Sequence, residues 1–349
     1  MQPVEKLENI SWFPFNDEPL LSKEFIIPAF CDPQVLLPEE AVDKKWHLFV
    51  HSWLGLHHYV SDSGIAWEPK NMIEVRSHSP YIYVENNVYY LLYEKHDRKI
   101  PLVGQKHSYR DNEKDDDSSR IEICSSTDLA TWSRPRILLD SRSVSYSADY
   151  NRSPRISRPQ LFKVGNNYRL YFGVSHVHLP DTFQKVSRYF SYAESSSIDG
   201  LYRPSEKGPL LAPVPDDPFM NLGVGSMRVL QGRTSFRAFQ CSAFWDAEEG
   251  RSKTAMFILD SDDGLKWKRN SDKPVLFPPE SGWASGYIMA CDVRYKASEN
   301  CWYCYYSANR QNKMGITEES VGLLLGQVPE LRNLKAARTL SGVMQGYDS

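Results

Sequence analysis

The stretch SDSGIAWEP at residues 61–69 recurs as SDDGLKWKR at residues 261–269, and this repetition decides the fold. Two looser copies lie between them, STDLATWSRP starting at Ser126 and SSSIDGLYRP starting at Ser195. The phrases close on aromatic residues separated by 65, 70 and 65 positions, namely Trp67, Trp132, Tyr202 and Trp267. A fixed period of this size is the signature of a repeat architecture.

Each repeat contains four strand-like runs. The most regular runs are rich in aromatic and β-branched residues, which favour strands, and lie at 46–52, 89–96, 168–176, 235–245 and 302–310. One strand-like run precedes each of these and another follows it, and a short hydrophobic or Pro-containing segment comes after each landmark aromatic. Four-stranded units arranged radially are the blades of a propeller.

The fifth unit lacks its closing phrase, and the missing piece is at the other end of the chain. The segment SWFPFNDEPLL at 11–21 carries Trp12 followed by Pro-Leu-Leu, which matches the region after the other landmark aromatics. We therefore predict an all-β, five-bladed β-propeller with four antiparallel strands per blade, closed by its N-terminal strand. The tight turns and landmark aromatics are expected to be scaffold, with the aromatics packed between blades.

The prediction is a single domain over residues 1–349. The blades are expected at roughly 30–77, 78–150, 151–215, 216–280 and 281–327, with the closing strand at 10–22 and a C-terminal tail at 328–349. The charged insertion at 95–120 leaves the second blade near the predicted cavity, so we expect it to act as a lid.

Composition excludes several classes of function. The formal net charge is −3 with acidic and basic residues intermixed, so no nucleic-acid partner is expected. The chain shows neither a signal peptide nor a long apolar run, which predicts a cytoplasmic protein without a membrane partner. The six cysteines are expected to be free, because Cys301 and Cys304 would point to opposite faces of one strand. We predict no bound metal or other cofactor.

The inner strands of a propeller all begin at one face, so polar residues at those starts converge on a central cavity. The second strands end at the same face. Three carboxylates in these positions are candidate catalytic residues: Asp32, Glu94 and Asp292. Candidate substrate-binding residues are His51, Trp53, His78, Tyr81, His96, Arg155, Arg158, His176, Trp245 and Arg310.

Five four-stranded blades, an Asp-Pro opening the first blade and S-x-D-G-x-x-W turns resemble the family 43 glycoside hydrolases, the arabinanases and β-xylosidases. The chain also resembles their invertase and levansucrase relatives. That resemblance implies Asp32 as general base. The family's second carboxylate position holds Tyr81, and its acid position holds Ser157 with Arg158 beside it. Glu94 or Asp292 would then supply the acid from another place.

The residues support a glycosidase-like enzyme acting on a glycoside or a related polar small molecule. A second interpretation is an anionic substrate held by the arginines and histidines, such as the phosphate used by family 130 glycoside phosphorylases or an acidic natural-product intermediate. A third is a propeller that binds carbohydrate without catalysis. A fourth is a metal ion held by the histidines near Asp32.

Overall fold

A computed structural model of the chain describes residues 2–7, 9–22, 29–96, 118–148, 153–182, 184–311 and 317–327. Within these ranges the chain forms twenty β-strands and three short 3₁₀ helices, at Val4–Leu7, Ser141–Ser143 and Ala297–Glu299. The strands make five four-stranded antiparallel sheets, which confirms the predicted five-bladed propeller. The predicted tail at 328–349 and most of the predicted lid at 95–120 lie outside the described residues.

The five blades follow one another along the chain, each running from the channel outward. Blade 1 contains β2 (Cys31–Leu36), β3 (Trp46–His51), β4 (Gly55–Ser61) and β5 (Glu68–Val75). Blade 2 contains β6 (Ser77–Glu85), β7 (Val88–His96), β8 (Ser119–Ser126) and β9 (Arg136–Asp140). Blade 3 contains β10 (Ile156–Val164), β11 (Asn167–His178), β12 (Lys185–Ser195) and β13 (Arg203–Pro204).

Blade 4 contains β14 (Gly223–Gln231), β15 (Phe236–Asp246), β16 (Arg251–Ser261) and β17 (Lys268–Arg269). Blade 5 is completed by the N-terminal strand, as predicted, and contains β18 (Ile288–Lys296), β19 (Cys301–Gln311), β20 (Thr317–Gln327) and β1 (Ser11–Pro14). The innermost strands β2, β6, β10, β14 and β18 contact one another in a closed ring, so their starts surround one channel.

The landmark aromatics hold neighbouring blades together. Five clusters of buried hydrophobic side chains lie at the five blade junctions in the described part of the chain. Each landmark contacts the preceding blade, with ring centroids 5.3–6.5 Å apart in the pairs Trp12–Phe239, Trp67–Tyr305, Trp132–Phe49 and Trp267–Tyr171. Tyr202 packs at the junction of blades 2 and 3. The expectation that these residues are scaffold is thereby confirmed.

The repeated turn also reaches across the junction. In blade 4, the Ser261 hydroxyl accepts a hydrogen bond from the backbone N–H of Gly264 at 2.9 Å, and Gly264 has φ +71°. The Tyr171 hydroxyl of blade 3 donates to the Gly264 carbonyl at 2.9 Å. Gly64 of blade 1 has the same conformation and accepts a hydrogen bond from Tyr305 of blade 5 at 2.8 Å. Glycine is required because φ is positive and the neighbouring side chain is close.

The cysteines follow the predicted pattern. All six are free. Cys301 packs in the cluster between blades 5 and 1, whereas Cys304 packs in the cluster between blades 4 and 5. The two thiols therefore lie on opposite faces of β19.

Replacing Gly264 by alanine should destabilise the propeller more than a positive φ alone would. A Cβ at this position would lie 2.3 Å from the Tyr171 hydroxyl oxygen. We expect Gly264→Ala to lower the free energy of unfolding by about 2–4 kcal/mol, combining backbone strain with overlap. The matched control is Gly165→Ala, which has φ +62° and open space around its Cβ; it should lose about 1 kcal/mol. Urea denaturation monitored by tryptophan fluorescence provides the measurement, and equal losses would contradict this account.

Candidate active site

The site is built on a bulge that recurs at the start of the inner strands. Asp32, Ser79 and Arg158 each precede a proline and have φ of +50°, +52° and +51°. In each case the strand register shifts at this residue. Residues other than glycine seldom adopt this left-handed conformation, and such strain clusters at functional sites. The bulges place three polar residues from blades 1, 2 and 3 at one end of the channel.

Ser79 and Arg158 both hydrogen-bond to Asp32. The Ser79 hydroxyl donates to Asp32 Oδ2 at 2.6 Å, and Arg158 Nε donates to Asp32 Oδ1 at 3.2 Å. Burial acts to raise the pKa of Asp32, but the Arg158 charge and these hydrogen bonds outweigh it and hold the pKa below its ordinary value. Asp32 is therefore an ionised carboxylate although only 7% of it is exposed.

Three histidines from blades 1 and 2 pack in a row that begins beside Asp32, with His51 Nδ1 3.7 Å from Asp32 Oδ2. The ring centroids of His51 and His78 lie 4.7 Å apart, as do those of His78 and His96. The backbone N–H of Ser79 donates to His51 Nδ1 at 3.2 Å, so this nitrogen carries no proton. Burial lowers the pKa of His51 to about 4, and the imidazole is neutral at physiological pH.

Glu94 and Arg155 form a second buried ion pair between blades 2 and 3. Arg155 Nη2 donates to Glu94 Oε1, and Glu94 is 1% exposed. Burial raises the pKa of Glu94 above its ordinary value, against the opposing effect of Arg155. Arg155 and Arg158, two of the three arginines predicted to bind substrate, are thus already paired with carboxyl groups.

Ser157 occupies the position where the resemblance to family 43 would place the acid. It belongs to a cluster of hydroxyl and imidazole side chains in blade 3. Its Oγ lies 3.4 Å from His176 Nε2 and 3.3 Å from Ser187 Oγ. Burial, together with the charges of Arg155 and Arg158, lowers the pKa of His176 well below its ordinary value. His176 Nδ1 is buried without a hydrogen-bond partner.

Glu319 is the carboxyl group that the sequence analysis missed. It lies near the start of β20 in blade 5 and is 6% exposed. Burial and the negative charge of Asp32 raise its pKa to about 7. Its Oε1 is buried without a hydrogen-bond partner, as is Nδ2 of Asn309, its cross-strand neighbour. The third strand of a blade starts at the face where the second strand ends, so the place of Glu319 near the start of β20 is the sequence signal for it.

Asp292 lies apart from this group, in the wall of the channel. Its Oδ2 accepts hydrogen bonds from the backbone N–H of Val35 at 2.7 Å and from Arg294 Nε at 3.1 Å. Its Oδ1 lies 2.6 Å from Arg228 Nε, and the Arg228 guanidinium lies over the ring of Tyr81 at 4.9 Å. These contacts tie the inner strands of blades 1, 2, 4 and 5 together, so the structure favours a scaffold position for Asp292.

The channel itself is narrow. A cavity of about 40 Å³ adjoins the bulges and is bordered by Asp32, Arg158, Tyr81, Arg228 and Cys291. From the sequence we predict that all candidate residues line one central cavity. The structure brings together only some of them. Asp32, His51, His78, His96 and Arg158 are joined by direct contacts, and Glu94, Arg155 and His176 adjoin them through the charges of Arg155 and Arg158.

Three predicted binding residues lie towards the rim instead. Trp53 is 39% exposed on the turn between β3 and β4. Trp245 is partly exposed near the end of β15, where its backbone N–H donates to Asn221 Oδ1 at 2.7 Å. Arg310 is exposed and pairs with Glu318 at 3.0 Å. The contacts found in the described part of the chain do not join these three residues to Asp32.

The described residues lack both a metal-binding cluster and a membrane-spanning helix. They contain no group of three or more His, Cys, Asp or Glu side chains arranged to hold a metal ion. They also contain no helix with the length and apolar character needed to cross a membrane.

Comparison with known proteins supports the fold. No protein-family model matches the chain, and no curated protein matches it. Among solved structures, an N-acetylgalactosamine deacetylase from F. plautii, in complex with blood group B trisaccharide, aligns with a TM-score of 0.59 and 12% identity, covering 91% of this chain and 95% of its own.

Two glycoside hydrolases give similar alignments. The family 117 enzyme Zg3597 of the marine bacterium Zobellia galactanivorans aligns with a TM-score of 0.55 and 10% identity, over 92% of each chain. A thermostable family 43 glycoside hydrolase aligns with a TM-score of 0.53 and 12% identity, over 84% of this chain and 88% of its own. The chain therefore shares the five-bladed propeller fold of these enzymes, and the predicted resemblance is confirmed at the level of fold.

The raised pKa of Glu319 makes stability depend on pH in a defined direction. The carboxyl releases its proton near pH 7 when folded but near its ordinary value of 4.5 when unfolded. The folded state therefore binds more protons between these values, and the free energy of unfolding falls as pH rises through this window, by a few kcal/mol at most (~3). Glu319→Gln should lack this contribution.

Thermal unfolding of wild type and Glu319→Gln across this pH window measures the difference. The control is Glu122→Gln, which removes a buried carboxylate paired with Arg120 at 2.6 Å in β8, remote from the channel end. Because Glu319 is intact in the control, its contribution to the fall in stability between pH 4.5 and 7 should still be present. If Glu319→Gln shows the same fall, the carboxyl is not held protonated in the folded protein.

Proposed function

We propose that this protein is a glycosidase-like enzyme that cleaves a glycoside or a related polar small molecule at the Asp32 end of the channel. One observation carries the proposal: an ionised carboxylate and a protonated carboxyl share one buried site. Asp32 is held ionised, and Glu319, close enough to respond to the charge of Asp32, keeps its proton up to about pH 7. Cleavage of a glycosidic bond needs a carboxylate and a carboxylic acid as two separate groups.

In this proposal Asp32 is the general base. Its two hydrogen bonds, from Ser79 and Arg158, fix the direction of the carboxylate before substrate arrives. Asp32 removes a proton from the attacking water, and the Arg158 charge keeps the carboxylate ionised before this step. Asp32 also has a strained left-handed backbone conformation, which its hydrogen bonds maintain. Such strain is typical of functional sites and supports this role.

Glu319 is the preferred general acid. The glycosidic oxygen must receive a proton as the bond breaks, and a carboxyl with a pKa near neutrality can supply it. Glu94 also has a raised pKa, but its Oε1 is occupied by Arg155. Glu319 Oε1 is buried without a hydrogen-bond partner among the described residues, so no arginine is bonded to the oxygen that this proposal makes the proton donor. Asp292 is enclosed by backbone and arginine donors and fits neither role.

The charges also bear on the anionic-substrate interpretation. Arg158 is paired with Asp32, and Arg155 is paired with Glu94. A phosphate or carboxylate ligand would have to displace one of these internal partners. We therefore propose a neutral saccharide as the substrate, with the neutral imidazoles of His51 and His176 available to its hydroxyl groups.

The two roles are separable by the choice of leaving group. A dinitrophenyl glycoside departs without a proton, whereas an alkyl glycoside needs one. We expect Glu319→Gln to reduce kcat/KM on the alkyl glycoside by about 100-fold to 10,000-fold and to retain most activity on the dinitrophenyl glycoside. Asp32→Asn should lose activity on both, because asparagine tolerates the left-handed conformation but cannot accept a proton from water.

The assay uses a panel of dinitrophenyl and methyl pentosides and hexosides, with Glu122→Gln as the control that keeps activity on both. Circular dichroism and melting temperature establish that each variant is folded. If Glu319→Gln lowers kcat/KM equally on alkyl and dinitrophenyl glycosides, Glu319 is not the general acid. Absence of turnover by the wild-type protein on the whole panel would overturn the enzymatic proposal and leave the non-catalytic interpretation.

A further inference from the structure

A second cavity lies on blade 5, away from the channel. It opens to solvent, has a volume of about 260 Å³ and is bordered chiefly by Glu18, Trp283, Arg310, Glu318 and Ser320. We call it the rim cavity. Its volume lies just below the ~300–1,000 Å³ of typical small-molecule sites, and its lining is one large aromatic side chain among several polar ones.

The rim cavity and the candidate active site lie on opposite faces of strand β20. Glu318 and Ser320 flank Glu319 on β20, and successive side chains of a strand point to opposite faces. Glu318 and Ser320 border the rim cavity, whereas Glu319 lies on the side of Asp32. One sheet therefore separates two polar sites at the same end of the propeller.

Trp283 gives the rim cavity a firmly supported aromatic wall. Its ring packs on Tyr306 with centroids 5.4 Å apart and an angle of 32° between the planes. The benzo edge lies on Gly322, where a Cβ would come within 2.5 Å of Trp283 Cζ2. The ring is half-buried against the junction of blades 4 and 5 and also borders the cavity. A preformed aromatic surface binds the C–H face of a sugar ring with little ordering cost.

The polar side chains define the chemistry of the ligand. Arg310 donates from Nη2 and Nε to Glu318 Oε2 at 3.0 and 3.2 Å, so these two charges are internally compensated. Glu18 adds a further carboxylate on an exposed position. The cavity therefore has a net negative charge and does not suit an anion. Its mixture of acceptors and donors suits the hydroxyl groups of a neutral polyol.

We infer that the rim cavity is a second saccharide-binding site, in which Trp283 packs against the C–H face of a sugar and Glu18, Arg310 and Ser320 contact its hydroxyls. The class of ligand rests on the proposed function, since a polysaccharide held here would keep a long substrate at the catalytic end of the propeller. The site takes no part in bond cleavage, so its loss leaves the hydrolysis of small glycosides unchanged.

Affinity electrophoresis in native gels containing arabinan, xylan, galactan or arabinogalactan tests this site. We expect at least one polysaccharide to retard the wild-type protein, and Trp283→Ala to weaken that retardation at least 10-fold. Arg310→Ala, on an exposed side chain, should weaken it 3-fold or more and guards against a folding defect caused by the loss of Trp283. Phe277→Ala, which truncates an aromatic that is 44% exposed elsewhere, is the matched control and should bind normally.

The outcomes separate this inference from the proposed function. Asp32→Asn should be retarded like wild type although it is inactive, and Trp283→Ala should keep kcat/KM on a small aryl glycoside within 2-fold. A wild-type protein that no polysaccharide retards, or retardation that survives both Trp283→Ala and Arg310→Ala, would overturn the rim cavity as a saccharide site. Retardation without any glycoside turnover would overturn the enzymatic proposal alone.

Discussion

The contact between Arg158 and Asp32 is the interaction on which the rest of the site depends. It joins the inner strands of blades 1 and 3 across the channel, with both residues in a strained left-handed conformation. Arg158 also acts electrostatically on Glu94, Glu319 and His176. One buried positive charge therefore keeps Asp32 ionised and disfavours protonation of His176. Without Arg158, the negative charge of Asp32 would lie among other buried carboxyl groups with no arginine beside it, and burial would raise the pKa of Asp32.

The propeller makes this contact possible by fixing where the inner strands begin. Each blade is held to the one before it by a landmark aromatic, and the last blade is closed when β1 pairs with β20. The ring leaves no junction unfilled among the described residues, since a hydrophobic cluster occupies each one. The strain of the bulges is maintained because the strands carrying Asp32, Ser79 and Arg158 cannot move apart independently.

The fold was predictable from sequence because its determinants are local and repeated. The turn and the aromatic after it recur in blades 1 to 4, and Trp12 identifies the strand that closes blade 5. The site was only partly predictable, since a residue's place in a strand tells which end of the channel it occupies but not its partner. The placement of Asp32, Arg158 and the three neighbouring histidines at one end of the channel was predicted in this way. The contact of Asp292 with Arg228 joins segments that are distant in sequence. The pairing of Arg310 with its cross-strand neighbour Glu318 depends on the register of β19 and β20. Glu319 was missed because only first and second strands were considered.

The most direct test of the account is a pH titration of the side-chain carboxyls by carbon-detected NMR on protein labelled at Asp and Glu. Assignment comes from the loss of one signal in each of Asp32→Asn and Glu319→Gln. The account predicts that the Glu319 signal titrates near pH 7, while the Asp32 signal stays ionised down to a pH below its ordinary pKa of 3.8. A Glu319 carboxyl already ionised at pH 5, or an Asp32 carboxyl protonated there, would contradict the division of roles between the two groups.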